Sequence, residues 1–492
     1  MYQFYNTDLN NLVYDGSLSK SKLPKELVPA ATTIYTPDWV VKYMVDNSLG
    51  RMWFEEGYCD ISQKSTHYLK HIDQLSRIRN NRGPVEFKII DPCMGSGHIL
   101  LYVFDLLMEI YRSSGYSDSD SAEMIIQNNI YGVDVNERAY QLAYFSLMMK
   151  ARHYDSHFLE KGVVPNLTAI IETDDLNEEF LNDIQNCLNP ENASIFNDLR
   201  KRFIDSREYG SLLKGVKIES LTDAVMSVNP QVTMDYNYRN EMFILKRLIK
   251  CSDILSRKYD VVITNPPYLG SSRFSERLST YAKDNHPVSK SDLSMMMYES
   301  SLKNLSKDGG YVAYITTNSW MFLSSFEKLR SIIIEEYQLV DILDLGSELF
   351  EGKVGHNLIV SWITKNQKSD LPFSATKLDT FCYSQKDRKE PEFFNSDNEY
   401  SMSGLSLKNI PGSPIAYWLT SSAISNFTNY PLLSHFIDAR IGMVTGDNGR
   451  FLRLWFEVPI GKIQFDSKPG QPFKKKWGSI RSEAGRSFRS TA

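Results

Sequence analysis

Length, composition and charge exclude several classes of protein. The chain has 492 residues, of which 42% are hydrophobic and 23% charged, values typical of a globular protein with roughly two to three domains. No run approaches the roughly 18–20 apolar residues that span a bilayer. The five cysteines show no C-x-x-C pair and no metal-ligand spacing, so we expect a reducing cytoplasm, no membrane and no metal.

The net charge of −5 neither supports nor excludes binding to nucleic acid, because phosphate contacts depend on local basic surfaces. Candidate basic groups lie in three places, and each is more often a solvated surface than a binding groove. They are Arg77, Arg79 and Arg82, then Arg200, Lys201 and Arg202, and finally the C-terminal tail.

Residues 1–30 are polar and mixed, and they show no clear fold. The run Ile34-Tyr35-Thr36-Pro37 follows. Thr36 and Pro37 predict the start of a helix, with Thr36 as the N-cap and Pro37 at the first helical position.

A glycine-rich turn between a strand and a helix predicts a cofactor loop. The apolar run 87–90 indicates a strand that leads into Asp91-Pro92-Cys93-Met94-Gly95-Ser96-Gly97, and residues 99–111 have helical periodicity. This arrangement lets the backbone approach a cofactor and directs helix N–H groups towards its anionic end. The loop is neither a G-x-G-x-x-G dinucleotide motif nor a phosphate-binding G-x-x-x-x-G-K-[ST] motif.

Two further strands are predicted after this loop. Strand 130–133 ends in Asp134, which is suited to accept hydrogen bonds from a ribose diol. Asp134 could instead be the N-cap of the predicted helix that starts near Asn136, and the two roles can coexist. Strand 167–172 leads into Asp174 and Asp175, after which residues 177–257 form a charged, helical insertion without a recognisable motif.

The tetrapeptide Asn265-Pro266-Pro267-Tyr268 follows the apolar strand 259–264. Each proline fixes φ and removes a backbone donor, so nearby carbonyls are free to face a ligand, and the tyrosine ring can stack on a planar group. Binding an exocyclic amine on a flat base requires hydrogen-bond acceptors in the plane of the base and an aromatic ring against its face. The alternative is a turn that merely ends the strand, since Asn and Pro are common in turns.

Three more strands are predicted at 310–316, 339–345 and 357–364. Together with the earlier four they predict a doubly wound α/β fold with a seven-stranded, mostly parallel sheet. In such a sheet the site lies at the carboxyl ends of the strands.

The set of motifs resembles the gamma class of S-adenosylmethionine-dependent amino-methyltransferases that modify adenine N6 in DNA. Residues 91–97 resemble their cofactor loop, Asn265 to Tyr268 their catalytic tetrapeptide, and Tyr35 and Thr36 their upstream cofactor-contacting segment. The run 34–44 further resembles the methyltransferases of BREX phage-exclusion systems.

The resemblance implies S-adenosyl-L-methionine as cofactor, held by Tyr35, Thr36, Asp91, Pro92, Cys93, Gly95, Gly97, Asp134 and either Asp174 or Asp175. It implies catalysis by Asn265, Pro266, Pro267 and Tyr268, and stacking of the base on Tyr268 and Phe350. A nuclease cluster of Asp344, Glu351 and Lys353 is a poor alternative, because the proline before the aspartate is missing. His98 and His356 are expected to be structural.

The resemblance also implies a methyltransferase domain over residues 31–365 and a partial target-recognition region over 366–492, with a basic tail. The expected partner is double-stranded DNA, in self/non-self marking by a phage-defence system with other subunits. Two alternatives stay open. The tetrapeptide also occurs in enzymes that methylate protein glutamine or RNA amines, and the chain could be a truncated remnant that binds DNA or cofactor without catalysis.

Overall fold

The computed structural model describes residues 36–58, 61, 66–71, 82–226, 238–347, 349–350, 358–381, 383–437, 452–464, 477–482 and 485–489. The chain divides into two compact units, Met1–Thr428 and Asn429–Ala492. Among the described helices, none combines the length and the hydropathy that a membrane crossing requires.

The described part of the larger unit contains one mixed sheet of nine strands. The strands are β1 (Ile89–Asp91), β2 (Ile130–Asp134), β3 (Asn166–Ala169), β4 (Tyr259–Thr264), β5 (Ser306–Thr317), β6 (Gln338–Gly346), β7 (Ile359–Lys365), β8 (Phe373–Lys377) and β9 (Glu399–Met402). Their order is β3-β2-β1-β4-β5-β7-β6-β8-β9. All seven predicted strands are present, and β1 to β5 pair in parallel.

The prediction of seven mostly parallel strands was wrong in two respects. The sheet has nine strands, and β7 runs antiparallel to both β5 and β6. Strand β8 pairs in parallel with β6, and β9 pairs antiparallel with β8. Both extra strands are short and mixed in polarity, so they lack the apolar run by which a buried strand is recognised. The sheet therefore continues past residue 365, and a separate recognition region from residue 366 stays a prediction.

Helices cover both faces of the sheet. The α-helices of the described chain are Asp38–Val45, Arg51–Glu55, His98–Ser113, Asp118–Met124, Glu137–Tyr154, Glu178–Cys187, Pro190–Arg202, Ser206–Tyr209, Glu219–Met226, Arg239–Ser256, Glu276–Asn285, Leu293–Ser300, Glu327–Glu336, Lys389–Phe393, Gly404–Leu407 and Ser421–Asn429. Neighbouring residues of one strand enter different cores, Val262 on one face and Val261 with Ile263 on the other. This alternation is what a sheet buried on both faces requires.

The N-terminal helix starts later than predicted. It begins at Asp38, and Pro37, with extended backbone at φ −55° and ψ 141°, is the cap residue in place of Thr36. The helix continues through the π-helical turn Asp46–Gly50 into Arg51–Glu55. Thr36 is thereby left outside the helix, with its side chain available for other contacts.

The smaller unit contains a four-stranded sheet in its described residues. Its strands are β10 (Leu452–Leu454), β11 (Ile463–Gln464), β12 (Trp477–Ser482) and β13 (Gly485–Arg489), in the order β10-β13-β12-β11. Strands β12 and β13 pair antiparallel and lie in the basic tail.

Candidate active site

Asp91 is the last residue of β1 and is buried. One carboxylate oxygen, Oδ1, accepts hydrogen bonds from the Thr264 hydroxyl at 2.6 Å and from the Cys93 backbone N–H at 3.0 Å. The other oxygen, Oδ2, is buried and has no hydrogen-bond partner within the described part of the chain. Burial raises the pKa of this carboxyl to about 7. A buried acceptor without a partner is costly, so this atom marks a place where a ligand donor would be favoured.

The glycine loop turns sharply between β1 and the helix His98–Ser113. Gly95 and Gly97 have φ values of +53° and +84°, which residues with a side chain rarely adopt. Gly97 also packs closely, since a Cβ there would lie 3.0 Å from the Cβ of Ala143. The loop thus brings its backbone and the first N–H groups of the helix to the carboxyl end of β1, as a cofactor loop requires.

Asp134 ends β2 and holds the glycine loop. Its Oδ2 accepts from the Gly95 N–H at 2.8 Å, and its Oδ1 accepts from the Asn136 N–H at 2.7 Å. Burial raises the pKa of Asp134 to about 6. The N-cap of the following helix is Asn136, whose side chain accepts from Arg138 and Ala139, so the alternative role of Asp134 as N-cap was wrong.

The carboxylates predicted after the third strand lie elsewhere than expected. Strand β3 ends at Ala169, and Asp174 and Asp175 sit in an exposed 3-10 turn. Asp174 accepts from the Asp205 N–H at 3.3 Å, and Asp175 pairs with Arg207 at 2.5 Å. In the described chain neither carboxylate bonds to the glycine loop, so their role in cofactor binding stays a prediction.

Sequence reasoning missed the contribution of the insertion to this region. Residues 205–212 contact the segment after β3, the glycine loop and the helix Glu276–Asn285, which follows the tetrapeptide Asn265 to Tyr268. The Ser206 hydroxyl donates to the Ile171 carbonyl at 2.8 Å, Ser211 Oγ lies 3.6 Å from Cys93 Sγ, and Tyr281 donates to the Leu212 carbonyl at 3.2 Å. The insertion has no motif for such packing, and its charged composition concealed it.

Two further groups lie near this segment: Glu172, which sequence reasoning missed, and Cys93, whose role in cofactor binding stays a prediction. Glu172 is buried and pairs with Arg207 at 3.1 Å, which makes it the buried carboxylate at this strand end. Cys93 is packed between Ser211 and Met297, and burial raises the pKa of its thiol well above the ordinary value. A protonated, enclosed thiol is a packing residue rather than a nucleophile.

The tetrapeptide follows β4 directly, one residue after the Thr264 that bonds Asp91. The Asn265 amide nitrogen donates to the Thr36 hydroxyl oxygen at 3.0 Å, and its Oδ1 accepts from the Tyr268 hydroxyl at 2.7 Å. The Tyr268 hydroxyl also lies 3.1 Å from the Ile315 carbonyl. Burial, with a smaller contribution from the Asp292 carboxylate, raises the pKa of Tyr268 well above its ordinary value. Pro266 is buried, and Pro267 and Tyr268 are half-buried.

The structure therefore brings Thr36, Asp91 and Asn265 together with Asp134 around the ends of three adjacent strands. Pro92 lies in the same turn as Cys93, between β1 and Gly95. Phe350 is buried and belongs to the same apolar core that Tyr268 packs against. Tyr35 lies outside the described residues, as do His356 and residues 351–353 of the nuclease alternative.

The remaining candidates have structural partners. Asp344 accepts from the Tyr417 hydroxyl at 2.9 Å, and His98 lies 3.0 Å from Asp38. No group of potential metal ligands occurs among the described residues. Arg82 pairs with Glu56 and Asp260, which makes it part of an ion-pair cluster rather than an open phosphate site.

The second basic candidate is also ion-paired. Arg200 pairs with Glu178 at 2.6 Å and Arg202 with Asp198 at 3.0 Å. Arg77 and Arg79 lie outside the described residues.

Comparisons with known proteins agree with this geometry. Residues 128–350 match the model of the Eco57I restriction-modification methylase family. The chain is 32% identical, over an alignment of 500 positions, to the adenine-specific methyltransferase PglX of Lacticaseibacillus casei (strain Zhang), covering 96% of this chain and 41% of that protein. It is 31% identical to the adenine-specific methyltransferase BrxX of Escherichia coli O9:H4 (strain HS), covering 94% of this chain and 40% of that protein.

Among solved structures, a nuclease-deletion mutant of the Type ISP restriction-modification enzyme LlaGI, in complex with a DNA substrate mimic, overlaps with a TM-score of 0.45. That match has 15% identity and covers 75% of this chain and 26% of the other, and similarity at this level carries no argument about function. The chain spans about two-fifths of the length of the curated relatives it matches. Over nearly its whole length, this chain is therefore a homologue of part of the adenine-specific methyltransferases PglX and BrxX.

Proposed function

We propose that this chain transfers a methyl group from S-adenosylmethionine to the N6 amine of a flipped-out adenine in double-stranded DNA. One observation carries the proposal. The Thr264 hydroxyl, one residue before Asn265, donates to Asp91 of the glycine loop at 2.6 Å. This bond ties the end of β4 to the end of β1, so a cofactor loop and a set of amine acceptors lie side by side.

The residues present fit the cofactor. The unpartnered Oδ2 of Asp91 is a buried acceptor that suits the ammonium group of an amino-acid moiety. We propose that Asp134, at the neighbouring strand end, accepts from a ribose diol in addition to the Gly95 and Asn136 N–H groups that it already holds. When bound, S-adenosylmethionine supplies an electrophilic methyl group on a sulfonium. Tyr35, Thr36, Pro92, Cys93, Gly95, Gly97, Asp174 and Asp175 are proposed to complete its site.

The acceptor amine requires activation. The lone pair of an adenine N6 is delocalised into the ring, which makes it a poor nucleophile. The amine would donate one hydrogen bond to Asn265 Oδ1 and one to the Pro266 carbonyl. These two bonds favour a pyramidal nitrogen and return electron density to its lone pair. Transfer would then be a direct in-line displacement, in which the N–CH3 bond forms as the S–CH3 bond breaks, S-adenosylhomocysteine leaves and one N6 proton is lost to water. Positioning and preorganised acceptors would lower its barrier.

The Tyr268 hydroxyl can release the acceptor that it occupies. The hydroxyl oxygen lies 2.7 Å from Asn265 Oδ1 and 3.1 Å from the Ile315 carbonyl oxygen, so its single proton can be donated to either acceptor. When the amine reaches Oδ1, the hydroxyl can donate to Ile315 instead, so no buried donor is left unpaired. The ring of Tyr268, with Phe350, would stack on the base at about 1–3 kcal/mol per base, offsetting the cost of flipping.

The similarity to PglX and BrxX supports a role in self/non-self marking of DNA within a BREX or restriction-modification type of phage defence, with other defence-system subunits as partners. We place the methyltransferase domain at residues 31–365 and the start of target recognition in residues 366–492, with β8 and β9 continuing the catalytic sheet.

The test uses the chain with labelled S-adenosylmethionine and genomic DNA that lacks adenine methylation, followed by digestion and mass spectrometry. We expect N6-methyladenine as the product. Asn265→Ala removes one in-plane acceptor, so turnover should fall about 10²–10³-fold while cofactor affinity stays within a few-fold of the parent.

Two results would contradict the proposal. Methyl groups on protein glutamine or RNA, with none on DNA adenine, would establish the alternative substrates. A chain that binds cofactor, is inactive on every DNA tested and is not rescued by the longer C-terminal region of a homologue would be a binding protein rather than an enzyme.

A further inference from the structure

We propose that Thr36 is a positioning residue for the transfer reaction: its hydroxyl oxygen holds the Asn265 amide in the orientation that presents Oδ1 to the target amine. This inference rests on the proposed function and assigns Thr36 a task beyond contact with the cofactor. The observation behind it is the hydrogen bond from Asn265 Nδ2 to Thr36 Oγ1 at 3.0 Å, between residues that lie 229 positions apart.

A side-chain amide has a donating end and an accepting end, and rotation by half a turn exchanges them. For an amine substrate only the accepting end is useful, because a donor facing the amine would repel it. In the structure both ends of the Asn265 amide have partners, Thr36 at the nitrogen and Tyr268 at the oxygen. The amide orientation is therefore specified before any substrate arrives.

The two bonds differ in what happens when the amine binds. The amine needs Asn265 Oδ1, and the Tyr268 hydroxyl can turn from this oxygen to the Ile315 carbonyl to make room for it. The bond to Thr36 lies at the opposite end of the amide and can persist throughout. In the described chain Thr36 Oγ1 is the acceptor for Nδ2, and during transfer it is the contact that keeps the oxygen directed at the amine.

The surroundings of Thr36 suit this task. The residue is 4% exposed, so its bond to Asn265 is shielded from competition by water. Pro37 follows with a fixed φ, and the helix begins only at Asp38, so the backbone that carries the hydroxyl is constrained without being helical. The hydroxyl accepts from Asn265 and retains its own proton, so a hydrogen bond to the cofactor is compatible with positioning.

The experiment compares Thr36→Val, which keeps the shape and removes the acceptor, with Thr36→Ser, which keeps the acceptor. We expect Thr36→Val to lower kcat about tenfold or more at saturating cofactor and DNA, in addition to any loss of S-adenosylmethionine affinity from its own contact with the cofactor. Thr36→Ser should restore most of the loss. In the Asn265→Ala background, Thr36→Val should have no further effect, since no amide is left to orient.

Three kinetic results would overturn the inference. They are an equal effect of Thr36→Val in both backgrounds, a failure of Thr36→Ser to restore kcat, and a loss confined to cofactor affinity with kcat unchanged at saturation. The last of these would assign Thr36 to cofactor binding alone.

A readout that needs no activity separates this inference from the proposed function. In deuterated protein labelled with [15N]asparagine, the resonance of the Asn265 side-chain amide, Nδ2, is identified by its absence in Asn265→Ala. We expect Thr36→Val to shift this resonance and to speed its exchange with water, and Thr36→Ser to leave it near the parent position. An unchanged resonance in Thr36→Val would refute the positioning role, even if the parent chain transferred no methyl group to DNA.

Discussion

Asp91→Asn should stabilise the cofactor-free chain at high pH while weakening cofactor binding. The carboxyl of Asp91 has its pKa raised by burial from 3.8 to about 7. The folded state therefore binds this proton more tightly than the unfolded state, and the free energy of unfolding falls as the pH rises from about 4 to about 7. The complete loss corresponds to about 4 kcal/mol, and about 2–3 kcal/mol of it occurs between pH 5 and pH 8.

The variant removes this titration. Its amide oxygen can still accept from Thr264 and Cys93 in the position of Oδ1. The NH2 end of the amide replaces Oδ2, which has no partner among the described residues. That unpaired donor imposes a cost of about 1–3 kcal/mol at every pH, so it cancels when the two pH values are compared. Relative to the parent, Asp91→Asn should be about 2–3 kcal/mol more stable at pH 8 than at pH 5.

Urea denaturation of both proteins at the two pH values measures this difference, and Asp174→Asn, which changes an exposed carboxylate, is the matched control. Calorimetry at pH 8 should show weaker binding of S-adenosylmethionine to Asp91→Asn, because the acceptor for the ammonium group is lost. An equal difference in stability between Asp91→Asn and the parent at pH 5 and pH 8 would show that the Asp91 carboxyl does not titrate with a raised pKa in the folded chain.

Three further changes test other contacts. A Cβ in Gly132→Ala would lie 2.5 Å from Met94 Sδ, so urea denaturation should show the free energy of unfolding lowered by about 1–3 kcal/mol. Calorimetry should show weaker cofactor binding, and parent-like values of both quantities would contradict close packing at this glycine. The buried guanidinium of Arg330 donates to four carbonyls. Arg330→Met should therefore lower the free energy of unfolding by about 3 kcal/mol or more with cofactor affinity unchanged. A parent-like midpoint of urea denaturation would contradict a stabilising role for these hydrogen bonds. Tyr268→Phe keeps the stacking ring and frees Asn265 Oδ1, so steady-state turnover should change only a few-fold. Tyr268→Ala removes the ring and should weaken capture of the base. Equal losses of turnover in the two variants would argue against stacking.

The sequence alone was sufficient for the features that depend on neighbouring residues. Apolar runs of buried strands identified β1 to β7, because strands covered on both faces are continuously hydrophobic. Glycines at 95 and 97 and prolines at 266 and 267 marked the glycine loop after β1 and the turn after β4, because such turns need backbone conformations or missing donors that few residues provide. Both motifs follow strands, so a common edge of the sheet was predictable.

Only the tertiary structure decided which side chains meet at that edge. The contacts of Thr36 with Asn265 and of Asp91 with Thr264 join residues 229 and 173 positions apart, and no local pattern encodes them. Asp134 proved to hold the glycine loop, and Glu172 rather than Asp174 proved to be the buried carboxylate beyond β3. Local sequence reports how a segment can fold, because periodicity and turn chemistry act between neighbours. The partner of a polar side chain depends on which strand ends the packing brings together, and that is a property of the whole fold.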